Sequence, residues 1–465
     1  MKPVTEVTAE LIAKAQELIK GQSPVQKALT SASGFAGYDL QPIAILLQPV
    51  ITPLRNRLPR VGPNGGGTSA EWRYISSLIS KGVTTATPSA EGAKGNALSY
   101  AATHVTAAFA EKSLSDSVTQ AALDAAKGFE DDLKARAHTN LLYALMMLEE
   151  RDLLFDRVTA LGTITTPTLV VSTSAGGIGA GTFKVYVRPI TGNGDGTITR
   201  GKKSAAATTA ALSGSTNQII AYTTWVEGAI GYEWYVDDGA SGTATLQTTT
   251  GVNAVVLNAL TTSGAALPAD NSANAIGMNG LVAQLTAANG AQITTLATDT
   301  TAGLGTDFTL AHIDGLNKLV WDTAKGNPEV IYMNSTQRMR ATNLVLVANG
   351  APTLFVQAGT EDMAEITGGY LLAKYINKAT GRVQRVETHP DLPDGTMLAM
   401  SHMIPFPTGG DMVGVDIQVS TDYRQIDYAQ TSNKYEFGVF CREVLRMKFP
   451  GGAWVLRNIK SNVNG

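Results

Sequence analysis

A single cysteine, Cys441, stands in 465 residues, which excludes an intrachain disulfide framework and any cysteine zinc cluster. Charge is scarce too, at 16% of residues, and the net value of -3 excludes the basic excess of a dedicated nucleic-acid binder. No uninterrupted apolar run approaches the ~20 residues that span a bilayer. The opening Met1-Lys2-Pro3-Val4-Thr5-Glu6 has no apolar signal core, so the expectation is a protein of the cytosol with no membrane partner. Catalytic patterns are equally thin. His104, His138, His312, His389 and His402 are scattered without HExxH or other ligand spacing, and no G-x-S-x-G elbow supports a triad of Ser401, His402 and Asp391. Glu149-Glu150 and Asp131-Asp132 are neighbours on a helical pattern and point in different directions, a poor geometry for an acid/base pair. Cys441 sits in an alternating strand as a packed thiol. The glycines of 176–181 precede neither a helix nor GKS, and Asn193 to Thr197 reads as a turn without the other ligands of a calcium loop. The expectation is therefore no enzyme, no cofactor and no metal.

What is present is apolar, glycine-rich and long enough for several cores. Hydrophobic residues make up 44% and glycines number 47, so the chain should divide into two to four domains with much β-structure. The longest pattern runs from Ser117 to Asp156. Ala122, Ala126, Phe129, Leu133, Ala137, Leu141, Ala144 and Leu148 recur at steps of three and four, and Ser117 with Gln120 has capping-box form. A continuous helix of that length would be a strut of roughly 60 Å.

Ahead of it, Val7, Leu11, Ala15, Leu18 and Ile19 mark a short amphipathic helix. Pro42, Pro49, Pro53 and Pro59 then break up a segment that still carries Ile43, Ile45, Leu46, Leu47, Val50, Ile51 and Leu54. Such an arm must lie along its own body or a neighbouring subunit. Arg55, Arg57 and Arg60 point to ion pairs within or between subunits, with nucleic acid as the other reading. Ala70 to Ile79 and Ser99 to Phe109, with Trp72, Tyr74 and Tyr100, predict two strands around a small-residue tip that holds Lys81 and Lys94. A two-stranded projection is marginal alone and should rest on another molecule.

From Leu161 to Ala275 only 11 of 115 residues are charged. Strand-like pieces at 168–173, 182–188, 218–223, 232–237, 243–249 and 254–257, separated by turn signals, predict a sandwich of immunoglobulin or fibronectin type. Tyr232, Trp234 and Val236 share one face, with Trp234 as its core. The remainder alternates helix and strand: Leu310 to Thr323, Glu329 to Met333, a helix capped by Ser335, Glu365 to Tyr375, Arg382 to Thr388 and Thr396 to His402. It closes on Tyr435 to Lys448, a turn at Pro450-Gly451-Gly452, and a return through Ala453 to Ile459, which predicts a long hairpin.

The order of these parts, with Gly438 to Lys448, Trp454-Val455-Leu456-Arg457-Asn458 and Thr388 to Thr396, resembles the major capsid proteins of tailed bacteriophages. The resemblance implies an α+β fold of the Hong-Kong-97 type with an immunoglobulin-like sandwich inserted. In its terms, 1–63 is an N-terminal arm, 64–116 an extended E-loop and 117–160 the spine helix of a P-domain. Residues 161–275 are the insertion, 276–434 mainly an A-domain, and 435–465 a C-terminal hairpin. It further implies self-assembly into hexamers and pentamers of an icosahedral virion shell around double-stranded DNA. Arg55, Arg57, Arg60, Trp72, Lys81 and Lys94 would then be subunit contacts, and either lysine would sit where some members form a Lys to Asn cross-link. A portal, a separate scaffolding protein and a decoration protein on the sandwich are the implied partners. A surface adhesin predicts a signal peptide and an enzyme with a sandwich appendage predicts a convergent polar site; neither feature is found in the sequence.

Overall fold

The computed structural model describes residues 52–62, 67–77, 90–93, 101–126, 133–173, 175–192, 197–239, 242–300, 304–348, 372–408, 411–430 and 432–460. The predicted helix over 7–19, both tip lysines and the turn at 193–196 lie outside them. Two compact units divide the chain. The smaller includes Ser117–Ala137 and Tyr428–Glu436. Within it the Gln120 amide donates to Asn433 O at 3.1 Å, and Lys134 Nζ lies 4.1 Å from the centre of the Tyr435 ring.

The larger unit holds a mixed six-stranded sheet. Its order is Gln292–Thr295, Trp454–Arg457, Thr396–Met400, Val330–Met333, Val383–Thr388 and Lys374–Ile376. Alternation along the strands sends side chains to two cores. Val330, Tyr332, Leu398 and Met400 face a core shared with Leu153 and Leu154 of the Leu133–Phe155 helix. Ile331, Met333, Met397, Ala399, Trp454 and Leu456 face Ile313, Leu316 and Val320 of the Leu310–Ala324 helix. At the start of that helix Thr309 and His312 form the capping box, the Thr309 amide donating to His312 Nδ1 at 3.0 Å. Beneath it, Asn317 Oδ1 accepts from Trp454 Nε1 at 2.9 Å and Gln384 Nε2 at 3.0 Å, so the buried amides are matched.

A second sheet runs Arg60–Val61, Val415–Asp427, Lys434–Met447 and Ala110–Thr119. Several sequence expectations change here. Residues 117–119 finish a strand, and helix begins only at Gln120, where Thr119 Oγ1 accepts the Ala122 amide at 3.3 Å. The described helices are Gln120–Ala126 and Leu133–Phe155. The closing hairpin is also redrawn. Lys434–Met447 pairs with Val415–Asp427, whereas Trp454–Arg457 crosses to the six-stranded sheet between Thr396–Met400 and Gln292–Thr295. The tight 3-10 turn of Pro450–Gly452 redirects the chain between the two sheets. The cap of the Ser335–Ala348 helix likewise comes from Asn334, whose Oδ1 accepts the Thr336 amide at 2.9 Å.

Residues 161–275 form two facing sheets. One orders Thr245–Thr250, Gly231–Asp237, Lys184–Gly192 and Ile198–Arg200, with Ala207–Thr208 also on Lys184–Gly192. The other orders Ala254–Leu257, Gln218–Tyr222 and Thr168–Ser172. Val185, Val187, Tyr232, Trp234 and Val236 from the first meet Ile219, Ala221, Val255 and Leu257 from the second. Trp234 is fully buried, its Nε1 donating to Thr250 Oγ1 at 2.8 Å. The strands Ile198–Arg200 and Ala207–Thr208 went unread because three and two residues carry no measurable alternation. The sandwich meets the body closely: a Cβ on Gly395 would lie 2.2 Å from Gly251 O, so only glycine fits.

Candidate functional site: a buried ionic clamp under the arm

The stretch from Thr52 to Val61 is apolar enough to need cover, and the body supplies it. Leu54 and Leu58 are buried, and Arg60–Val61 lies parallel to Ile417–Gln418. One helical turn of Leu133–Phe155 then presents two adjacent carboxylates to this segment. Glu150 accepts the Leu54 amide at 2.8 Å and the Arg55 amide at 2.7 Å. Glu149 accepts from Arg55 Nε at 2.8 Å, from Arg60 Nη1 and from the Tyr423 hydroxyl. Arg60 also reaches Asp422 at 3.0 Å and Glu443 at 3.2 Å, and Lys112 joins Glu443 at 2.9 Å to Asp152 at 3.2 Å. Thus five elements meet on one network.

Charge balance sets the protonation of this network. Burial pushes the Glu149 carboxyl up to about 7, with repulsion from Glu443 adding to it against Arg60, Arg55 and Lys112. Burial also opposes ionisation of Glu443, but Lys112 and Arg60 outweigh it and hold that carboxyl below the usual range. Asp152 is raised by burial despite Lys112. On the far side, His389 Nδ1 accepts the Asp391 amide at 3.2 Å, which leaves Nε2 to face Glu150 Oε1 at 2.8 Å, off the line of an ideal N–H bond. A second buried cluster lies nearby in sequence: Asp416 takes Arg446 in two bonds of 2.7 Å and Lys448 at 2.8 Å. The carboxylates of both clusters are bound to cations or amides, so the arrangement holds backbone in place.

The hairpin is rooted in the same body. Ser69–Ser77 pairs antiparallel with Ala101–Ala108, burying Ala70 and Trp72 on one face and leaving Glu71, Arg73, His104 and Thr106 exposed on the other. Trp72 Nε1 donates to Met447 O at 3.3 Å, and the Tyr74 hydroxyl to Asn289 Oδ1 at 3.0 Å. Of the six residues named as subunit contacts, Arg55, Arg57, Arg60 and Trp72 therefore have partners within the chain, Arg57 on Glu387. Lys81 and Lys94 lie outside the described residues. The triad suggestion dissolves: Ser401 Oγ donates to Met403 O at 2.7 Å, Asp391 accepts from Arg151 at 3.0 Å, and burial with Arg57 nearby pushes His402 down to about 4. Among the described residues no group of three or more His, Cys, Asp or Glu is arranged to hold a metal, and no helix is long and apolar enough to cross a membrane. Sequence reasoning missed Glu443, Asp416 and Lys112. For Glu443 the available signal was a charge among the Val, Phe and Leu residues of its strand, and for Asp416 a charge between Val415 and Ile417.

No family model and no curated protein matches the chain. Among solved structures it is similar to the satellite phage P4 procapsid with its size determination protein, at 10% identity over 99% of this chain and 98% of that one, with a TM-score of 0.38. It is similar to the cyanophage A-1(L) capsid at 12% identity over 89% and 94%, with a TM-score of 0.42. It is also similar to the SrpI encapsulin of Synechococcus elongatus PCC 7942 at 9% identity over 91% and 96%, with a TM-score of 0.37. These neighbours are capsid and encapsulin shells. With these scores below 0.5, the functional reading rests on the chain's own residues.

Proposed function

We propose that this chain is a major capsid protein, a subunit that assembles with copies of itself into a closed virion shell around double-stranded DNA. The observation that carries the reading is a double anchorage on one body. Glu150 fixes the end of the arm through two amides, and Trp72 fixes the root of the hairpin. Beyond the first anchor the sequence continues into Ile43, Ile45, Leu46, Leu47, Val50 and Ile51, which need an apolar partner. Beyond the second it continues into a small-residue tip too poor in apolar side chains to form a core. Rigid anchors followed by such excursions suit a subunit that completes its packing on its neighbours. Hexamers and pentamers, a portal, a separate scaffolding protein and a decoration protein belong to this same proposal.

The sandwich supports the immunoglobulin-like part of it. Its larger sheet places the sixth and seventh of eight strands beside the second and third, in the order expected of the G, F, C and C′ strands of an immunoglobulin-like domain. The facing sheet pairs the first strand with the fifth, as B with E. It departs in its last strand, Ala254–Leu257, which takes the free side of Gln218–Tyr222. Negative-stain microscopy of the purified full chain tests the proposal. Shells, capsomers or curved sheets are expected; a monomer under all conditions of salt, pH and concentration would refute it.

A further inference from the structure

The chain enters the sandwich after Asp156 and leaves it before Gly277, and the two linkers lie side by side. Asn274 donates its amide to Arg157 O at 2.9 Å, Leu161 donates its amide to Ser272 Oγ at 2.9 Å, and the Asp156 carboxylate accepts the Met278 amide at 2.8 Å. Adjacent linkers make one line of attachment, about which an inserted domain can turn. A separate attachment lies at Asn253, between the strands Thr245–Thr250 and Ala254–Leu257. Its amide donates to Asn458 Oδ1 at 3.2 Å, and Asn458 Nδ2 donates in turn to Leu296 O at 2.7 Å and Thr298 Oγ1 at 3.1 Å. The Thr298 hydroxyl closes the ring by donating to Asn253 Oδ1 at 2.6 Å. A threonine hydroxyl has one proton to give and lone pairs to receive, so every group in the ring plays a role it can fill.

We propose that Asn458 is a positioning residue that locks the sandwich to the six-stranded sheet in one orientation. Asn458 is fully buried and directly follows Trp454–Arg457. Its φ of 63° is left-handed, a region open to glycine and asparagine and costly for most other residues. The backbone around it is held, with the Ile459 amide on Gly395 O at 3.1 Å and the Leu296 amide on Arg457 O at 2.9 Å. The side chain thereby serves two sides at once, its oxygen the sandwich and its NH2 group the segment after the edge strand Gln292–Thr295. Other contacts of the junction are less directional or less protected. Gly251 packs against Gly395, Arg457 lies 5.7 Å from the centre of the Trp225 ring, and Glu227, which accepts the Ala287 amide at 3.0 Å, is exposed. Turning the sandwich would break both bonds to Asn253 and leave Asn458 Oδ1 and the Thr298 hydroxyl short of partners in a buried setting. The lock belongs to a single copy of the chain and precedes any assembly.

The test sets the full-length chain, in dissociated form, against its Asn458→Gly variant. Glycine keeps the left-handed backbone without strain, so the variant removes the side chain alone. Ser215→Cys in the sandwich and Lys318→Cys on the Leu310–Ala324 helix, both at exposed positions, carry spin labels in a chain whose own Cys441 is buried. Double electron-electron resonance should give one narrow distance distribution with Asn458 present and one at least twice as wide with glycine. Hydrogen exchange at the Asn253 amide should be tenfold or more faster in the variant, with the strands Gln218–Tyr222 and Thr396–Met400 unchanged. Circular dichroism checks folding. Should Asn458→Gly fail to fold, Thr298→Val takes its place, with the same broadening and at least threefold faster exchange expected. A variant distribution as narrow as that of the unaltered chain, a broad distribution with Asn458 present, or unchanged exchange at Asn253 overturns the proposal.

Discussion

The sandwich and the body solve the same problem with different chemistry. In 161–275, with few charges, stability comes from alternating apolar strands closing on Trp234. In the body, apolar cores coexist with buried networks around Glu149 and Glu443 and around Asp416. Burial of apolar surface is non-directional, so it fixes the sandwich as a unit without specifying what approaches it. A buried ion pair is directional: leaving one partner uncompensated is costly, so the network holds the arm's end in one register on the helix.

That contrast can be broken at several points. Trp234→Ala should cost about 3–5 kcal/mol in thermal unfolding, with little dependence on salt, because the loss is cavity and contact. Glu443→Ala should cost a comparable 3–5 kcal/mol by leaving buried Lys112 with Asp152 alone and Arg60 short of one of its three carboxylates. Replacing the Glu443–Lys112 pair by apolar residues of matched size should be milder, which urea melts of Glu443→Leu/Lys112→Met would show. The pH response should be smaller and of definite sign. Glu149 titrates near 7 in the folded chain against an ordinary 4.5, so between those values the native state binds more protons. Its contribution therefore favours the fold below about 4.5 and is lost as pH rises through about 7. Stability measured from pH 5 to 8 should fall less steeply in Glu149→Gln than in wild type; an unchanged slope would contradict the assignment. The smallest effect, about 1 kcal/mol, is expected for Asn334→Ala, which removes the cap of Ser335–Ala348.

The same contrast explains what could be read in advance. Strands at 168–172, 218–222, 231–237 and 254–257 follow from period-two patterning between turn residues, and Trp234 was visible as their centre. The helix at Leu310–Ala324 was equally plain from Leu310, Ile313, Leu316 and Val320. Local pattern does not encode partners. Trp454–Arg457 looked like the return of a hairpin because proximity in sequence favours that pairing, yet its partners are Thr396–Met400 and Gln292–Thr295. Strand Ala110–Thr119 was read partly as helix, since its charged and small residues follow neither period well. The clamp was hidden for a further reason: Arg60, Glu149 and Glu443 are separated by 89 and 294 positions, and nothing local connects them.

Hydrogen exchange on the full chain, in dissociated and assembled form, measures the central claim. The amides of Leu54 and Arg55, held by Glu150, should be protected in both forms, while those of residues 43–51 should become protected only on assembly. Fast exchange at Leu54 and Arg55 in the free subunit, or full protection of 43–51 without assembly, would contradict the account.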